Sequence, residues 1–200
     1  MSGPYMKGRK ALFLDRDGTL LVEAGYLNHP SLVTPYRFTV EALNLARQAG
    51  FLLILVTNQS GIARGYLSEA ELGAIHQRMQ SLLSEGGAEL DAIYYCPHHE
   101  DGTVKEYAVD CGCRKPGTLL GRMAAERFGI DLGASFMIGD KDTDLEFGRA
   151  LGVAPCLVRT GFGSFEESSR GPAGLKGARV FDDLLDAVRW ITKPGTGQDR

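Results

Sequence analysis

The chain has 200 residues, 44% of them apolar and 24% charged, which is enough for one well-filled domain and little more. A net charge of −3 without a basic stripe argues against a nucleic-acid partner, and no apolar run is long enough to span a bilayer. The apolar run behind the first ten residues is short and ends in a charge, so it does not read as a secretory leader; for a cytoplasmic protein, four cysteines point to metal or catalysis before disulfides.

Five short apolar runs recur along the chain: ALFLD (11–15), FLLILVTN (51–58), AIYYCP (92–97), SFMIGD (135–140) and PCLVRT (155–160). They are rich in branched or aromatic residues and apolar without alternation, as strands covered on both faces are. Helical patterns lie between and after them. The pattern over 40–50 stops at Gly50. The pattern over 68–87 opens with a capping box of Ser68 and Glu71 and closes on Gly86 and Gly87. Further helices are predicted over 118–129, 143–152 and 181–193. The alternation predicts an α/β domain: a Rossmann-like open sheet of mainly parallel strands with helices on both faces and right-handed crossovers. It is predicted to span 10–193, between a flexible N-terminus (1–9) and a flexible tail (194–200).

Open parallel sheets bind ligands beyond the carboxyl ends of their strands. The first run delivers Asp15, Arg16, Asp17, Gly18 and Thr19 there; the second Thr57, Asn58, Gln59 and Ser60; the third a Cys-rich segment; the fourth Gly139, Asp140, Lys141 and Asp142. Asp15, Asp17 and Asp140 repel one another unless a cation neutralises them, and a hard ion such as Mg²⁺ prefers oxygen ligands. With Arg114, Lys115 and Lys141 nearby, such a site suits a phosphoryl group. The competing reading makes these acids turn residues and helix caps, and for Asp142 and Asp144 the two readings stand level. Thr57 alone reads as a strand-end hydroxyl.

The segment CPHHEDGTVKEYAVDCGCRKP (96–116) pairs Cys96-x-His98 with Cys111-x-Cys113 across a twelve-residue gap of polar residues. Three thiolates and one imidazole make a closed tetrahedral set, the form of a structural zinc site that folds a loop with little to bury. Spacing leaves His98 and His99 both open as the nitrogen ligand. Such a site would aim Arg114 and Lys115, which follow Cys113 directly. Cys156 lies in an apolar run and reads as a small core residue.

The string DRDGT, then TNQSG, then Lys115, then GDKDTD, spread over 15–144, resembles the haloacid dehalogenase superfamily of phosphohydrolases. The resemblance implies Asp15 as a nucleophile that becomes an aspartyl-phosphate, Asp17 as general acid and base, Thr57 as a phosphoryl-oxygen donor and Lys115 as the charge between nucleophile and phosphate. It implies Mg²⁺ held by Asp15, Asp140 and the backbone carbonyl of Asp17, and His98 as the ligand beside Cys96, Cys111 and Cys113 for Zn²⁺. No room remains between the motifs for a large cap domain, so an open site is expected, partly covered by the loop near 25–30 and the zinc loop.

Within the superfamily, DRDGTL, Gly25-Tyr26, TNQSGIARG, YYCPHH, CGCRKP and GDK resemble the branch of the heptose 1,7-bisphosphate 7-phosphatases, with the histidinol-phosphate phosphatases as nearest cousins. By that resemblance Glu23, Ala24, Gly25, Tyr26, Asn58, Gln59, Ser60, Arg114 and Lys141 line the substrate site, and Arg114 reads the sugar or its second phosphate; Arg64 is a further candidate. The implied partner is a small sugar phosphate, met by a monomer with no nucleic acid and no membrane. One departure stands out: relatives often carry a longer string after Arg-Lys-Pro, whereas CRKPGTLL enters the next helix at once. Against the sugar-bisphosphate reading stand an amino-alcohol phosphatase of the histidinol type, a phosphatase for a related sugar phosphate, a polynucleotide end-phosphatase, and a non-catalytic zinc-stabilised binding module.

Overall fold

A computed structural model describes residues 8–175 and 177–193. The predicted tail over 194–200 and most of the predicted flexible N-terminus fall outside them. Of that N-terminus, Gly8 and Arg9 both donate backbone N–H bonds to the Gly129 carbonyl, at 3.1 and 3.2 Å.

Six strands build one sheet: β1 (Ala11–Leu14), β2 (Leu52–Asn58), β3 (Ala92–Cys96), β4 (Phe136–Gly139), β5 (Ala154–Val158) and β6 (Arg179–Phe181). Their order is β3-β2-β1-β4-β5-β6, and every neighbouring pair is parallel. The helices are α1 (Thr39–Gln48), α2 (Glu69–Glu85), α3 (Leu119–Phe128), α4 (Asp142–Leu151), α5 (Gly163–Gly174) and α6 (Leu184–Ile191). Alternate residues of each central strand feed two cores. Leu12, Leu14, Leu53 and Leu55 pack with residues of α1, α2 and α6. Ala11, Phe13, Leu52 and Ile54 pack with α3 and α4. Burial on both faces is why these strands carry no polar alternation.

The capping box forms as read. Glu71 N–H donates to the Ser68 hydroxyl, and Ser68 N–H to the Glu71 carboxylate. Two elements differ from the expectation. The segment predicted as one helix over 181–193 starts with the last residue of strand β6; α6 begins only at Leu184, capped by Asp183, which accepts from Asp186 N–H. Helix α5 was not anticipated, because its sequence has no apolar stripe and bends at Gly171, where φ is 59°.

No second domain interrupts the sheet among the described residues. The chain order reverses between β1 and β4, so crossovers leave these two strands in opposite directions. The crevice this opens at their carboxyl ends is where the loop after Leu14 and the loop after Gly139 meet.

Candidate active site

Lys115 lies at the centre of that crevice. It is buried, and its Nζ stands 2.7 Å from Asp15 Oδ1 and 2.6 Å from Asp144 Oδ1, and donates to the Val56 carbonyl at 2.7 Å. The Asn58 side chain fixes its backbone. Asn58 Oδ1 accepts from Lys115 N–H at 2.9 Å, and Asn58 Nδ2 donates to the Lys115 carbonyl at 3.0 Å. Burial opposes the Lys115 charge, but Asp144 and Asp15 outweigh it and raise the ammonium above its usual range. Burial likewise opposes the Asp15 carboxylate, yet Lys115 and then Lys141 bring it below its ordinary value. The short passage from Pro116 into α3, through Gly117 and Thr118, does not draw Lys115 away from Asp15.

Asp140 and Asp144 complete a set of acids. One oxygen each from Asp15, Asp140 and Asp144 lie within 4.8 Å of one another, and all three residues are buried. Asp140 Oδ2 accepts from Phe162 N–H at 2.9 Å, whereas its Oδ1 is buried with no hydrogen-bond partner among the described residues. Burial, then the charge of Asp15, pushes Asp140 up to about 8. Such a group fits a hard divalent cation: an oxygen-only donor set, a buried carboxylate oxygen to spare, and repulsion that a cation relieves. Gly18 and Gly161 pack on the same carboxylate so closely that a Cβ on either would run into it. Asp144, for which cap and site readings stand level in the sequence, caps its helix and also pairs with Lys115: its Oδ2 accepts from Lys141 N–H at 3.0 Å while Oδ1 faces Lys115. Asp142 instead pairs with Arg170 at 2.9 Å.

Asp17 sits a turn away, half-buried, with its carboxylate gripped from behind. Arg16 donates to it through Nε at 3.0 Å and Nη2 at 2.8 Å, and Gln59 Nε2 adds a third bond at 3.0 Å. Gln59 Nε2 also donates to Thr57 Oγ1 at 2.9 Å, which ties the second strand end to the first. The side chain of Asp17 is not one of the three, Asp15, Asp140 and Asp144, that gather. The sequence places Arg16 at this strand end without a role; in the fold the residue is 1% exposed.

A cavity of about 380 Å³ opens above these groups. Of the predicted substrate residues, Glu23, Gly25, Tyr26, Asn58, Gln59, Ser60, Arg114 and Lys141 line it, as do the unanticipated Thr143 and Phe162. Ala24 and Arg64 are not in its lining. Lys141 reaches Glu23 at 3.3 Å and lies over the Phe162 ring, 4.7 Å from its centroid, so the loops after β1, β4 and β5 meet at one rim. Tyr26 packs edge-on against Tyr66, at 4.5 Å between centroids, and forms the outer wall.

The cysteine segment closes as a four-point cluster. Cys96, Cys111 and Cys113 place their sulfurs 3.1 to 3.5 Å apart without a disulfide, and His98 Nδ1 stands 3.3 Å from Cys113 Sγ and 3.7 Å from Cys96 Sγ. A tetrahedron with metal–sulfur arms of about 2.3 Å has edges of about 3.8 Å, so a zinc ion fits this set after a slight expansion. The geometry selects His98: His99 turns away, its Nε2 3.1 Å from Arg64 and its Nδ1 accepting from Asp101 N–H. Burial pushes the Cys96 thiol well up, a cost that a cation would reverse. The cluster also touches the pocket, because Arg114 Nη1 donates to the His98 carbonyl at 3.3 Å. Cys156 lies in the core as expected.

Comparison with known proteins agrees with this geometry. A family model described as HAD-hydrolase-like matches residues 112–187. The chain is 43% identical over 189 residues to a D-glycero-beta-D-manno-heptose-1,7-bisphosphate 7-phosphatase of Yersinia pestis, covering 92% of this chain and 93% of that one. It is 41% identical to the protein of the same name from Escherichia coli K12, covering 94% and 98%. Among solved structures, a D,D-heptose 1,7-bisphosphate phosphatase from B. bronchiseptica, complexed with magnesium and phosphate, matches with a TM-score of 0.80 at 35% identity, over 90% of this chain and 96% of that one. With motifs, topology and relatives in agreement, the chain belongs to the haloacid dehalogenase superfamily, as a phosphoric monoester hydrolase of the family that includes these heptose-bisphosphate phosphatases.

Proposed function

We propose that the chain is a Mg²⁺-dependent phosphatase that removes the 7-phosphate of D-glycero-D-manno-heptose 1,7-bisphosphate through an aspartyl-phosphate on Asp15. The observation that carries the chemistry is the buried Lys115, 2.7 Å from Asp15, beside an Asp140 oxygen without a hydrogen-bond partner among the described residues. Lys115 keeps Asp15 ionised and therefore nucleophilic, and offsets the repulsion between a carboxylate and an incoming phosphate. Asp15 attacks phosphorus; Asp17 gives a proton to the departing sugar alkoxide and then takes one from the water that attacks the aspartyl-phosphate. Thr57 and neighbouring backbone N–H groups hold the phosphoryl oxygens. Mg²⁺, held by Asp15, Asp140 and the Asp17 carbonyl, would supply positive charge opposite those oxygens. Arg114 reads the far end of the substrate, where its planar fork suits a second phosphate.

The substrate assignment follows the relatives. It is tested by phosphate release with Mg²⁺ from heptose 1,7-bisphosphate and histidinol phosphate side by side. A kcat/KM preference of about 100-fold or more for the heptose, about 2.7 kcal/mol of transition-state discrimination, is expected. The reverse preference would keep the chemistry and overturn the substrate. We assign the enzyme to the cytoplasm, as a monomer; no helix among the described residues is long and apolar enough to cross a membrane.

We assign Zn²⁺ to Cys96, His98, Cys111 and Cys113 as a structural ion. Because Arg114 leans on the His98 carbonyl, loosening the cluster reaches the substrate. Cys111→Ser is expected to lower bound zinc, measured by atomic emission, and to reduce kcat/KM on the bisphosphate by about 10-fold. A zinc-free variant with full activity would break the link between cluster and pocket.

A further inference from the structure

Among the described residues Arg16 is the largest side chain that is fully buried, and the reaction outlined above gives it nothing to do. Burying a guanidinium is costly unless its donors are met and its charge is paired. Here its charge is paired with Asp17 and its donors meet Asp17, Gln59 and His76, the first two of which line the pocket. Nε and Nη2 take the two oxygens of Asp17 as a fork, at 3.0 and 2.8 Å. Nη2 also donates to Gln59 Oε1 at 2.9 Å, and Nη1 faces His76 Nε2 at 3.2 Å. His76 belongs to α2 and is itself buried; burial, then the charge of Arg16, lowers it to about 3, so its ring is neutral and accepts from the guanidinium. Gln59 closes the ring by donating to Asp17 Oδ2 and Thr57 Oγ1.

We propose that Arg16, braced by His76 and Gln59, is a positioning residue that sets the rotamer of Asp17, so that its carboxylate faces the leaving group in the first half-reaction and the attacking water in the second. The inference rests on Asp17 being the acid and base. A bidentate fork fixes both the distance and the plane of a carboxylate, which a single point charge does not. The brace is long-range: His76 lies 60 residues from Arg16 and holds the guanidinium from the side opposite Asp17.

The test exploits leaving-group chemistry. kcat/KM reports the step in which the alcohol departs. An alkoxide needs the proton from Asp17, whereas p-nitrophenolate leaves without it. The ratio of kcat/KM for heptose bisphosphate to that for p-nitrophenyl phosphate therefore measures how well Asp17 is placed. Asp17→Asn is expected to lower this ratio by about 100-fold. Arg16→Met, which removes the guanidinium but keeps an unbranched apolar stem, is expected to lower it by about 10-fold, with Arg16→Lys between Met and wild type. His76→Leu removes the brace without touching Asp17 and is expected to shift the ratio in the same direction by about threefold, which provides a readout should Arg16→Met fail to fold. If Asp17→Asn lowers the ratio while Arg16→Lys and His76→Leu reduce both substrates equally, or neither, Arg16 is structural only; the proposal is overturned and the proposed reaction stands. If Asp17→Asn itself leaves the ratio unchanged, the acid role of Asp17 fails, and the positioning role fails with it.

Discussion

Lys115→Met is expected to be the most damaging single change in the molecule, removing turnover and several kcal/mol of stability together. Lys115 is 3% exposed, so solvent does not screen its contacts with Asp15 and Asp144. Its loss leaves two buried carboxylates beside Asp140 with only the partly exposed Lys141 ammonium at their edge, 4.0 Å from Asp140, and leaves the Val56 carbonyl without its Lys115 donor. Breaking a buried pair by removing one partner costs about 3–5 kcal/mol. For a chain of this length, each kcal/mol is worth about 2–4 °C in melting temperature, so a fall of about 6–20 °C is expected. The check is thermal unfolding with and without Mg²⁺. A cation seated among the acids would restore part of the loss, so the deficit should be smaller with Mg²⁺. A variant that melts with the wild type would mean that these acids are not ionised together and that Lys115 is not what holds them.

Asp15→Asn separates chemistry from fold in the opposite way. The amide cannot attack phosphorus to form an acyl phosphate, so turnover should fall by about 10⁵-fold or more, the order seen when a covalent nucleophile is removed. Stability should stay within about 1 kcal/mol of wild type. The amide oxygen still accepts from Lys115, Lys115 keeps Asp144, and one of the charges that push Asp140 up is gone. Steady-state phosphate release and a urea titration check the two halves. Residual activity above about 1% of wild type would remove Asp15 from the role of nucleophile.

Much of this arrangement was legible in the sequence for a physical reason. A strand buried on both faces reads as an unbroken apolar run, so the residue at which the run ends marks the mouth of the crevice. Asp15, Thr57 and Asp140 could be picked out that way before any contact was known. The elements that escaped are those without that signature. Strand β6 is three residues long, at the sheet edge, and only Phe181 in it is buried. Helix α5 carries Gly, Ser and Pro in place of an apolar stripe. The remaining gaps are long-range contacts. Nothing local in DRDGT shows that Arg16 turns back to meet a histidine on α2, or that Asp144 reaches Lys115 while still capping its helix. The choice between His98 and His99 was of the same kind, because neighbours in sequence point to different partners once the loop has closed.

The covalent role of Asp15 is tested most directly by rapid acid quench of the enzyme during turnover of p-nitrophenyl phosphate with Mg²⁺, followed by peptide mapping. The expected result is one phosphoryl group on the peptide containing Asp15, labile to hydroxylamine as an acyl phosphate is, and missing from Asp15→Asn. Steady turnover with no phosphoryl group on that peptide at any quench time, in an enzyme whose Asp17→Asn variant also accumulates none, would contradict the aspartyl-phosphate and leave direct attack by water as the route.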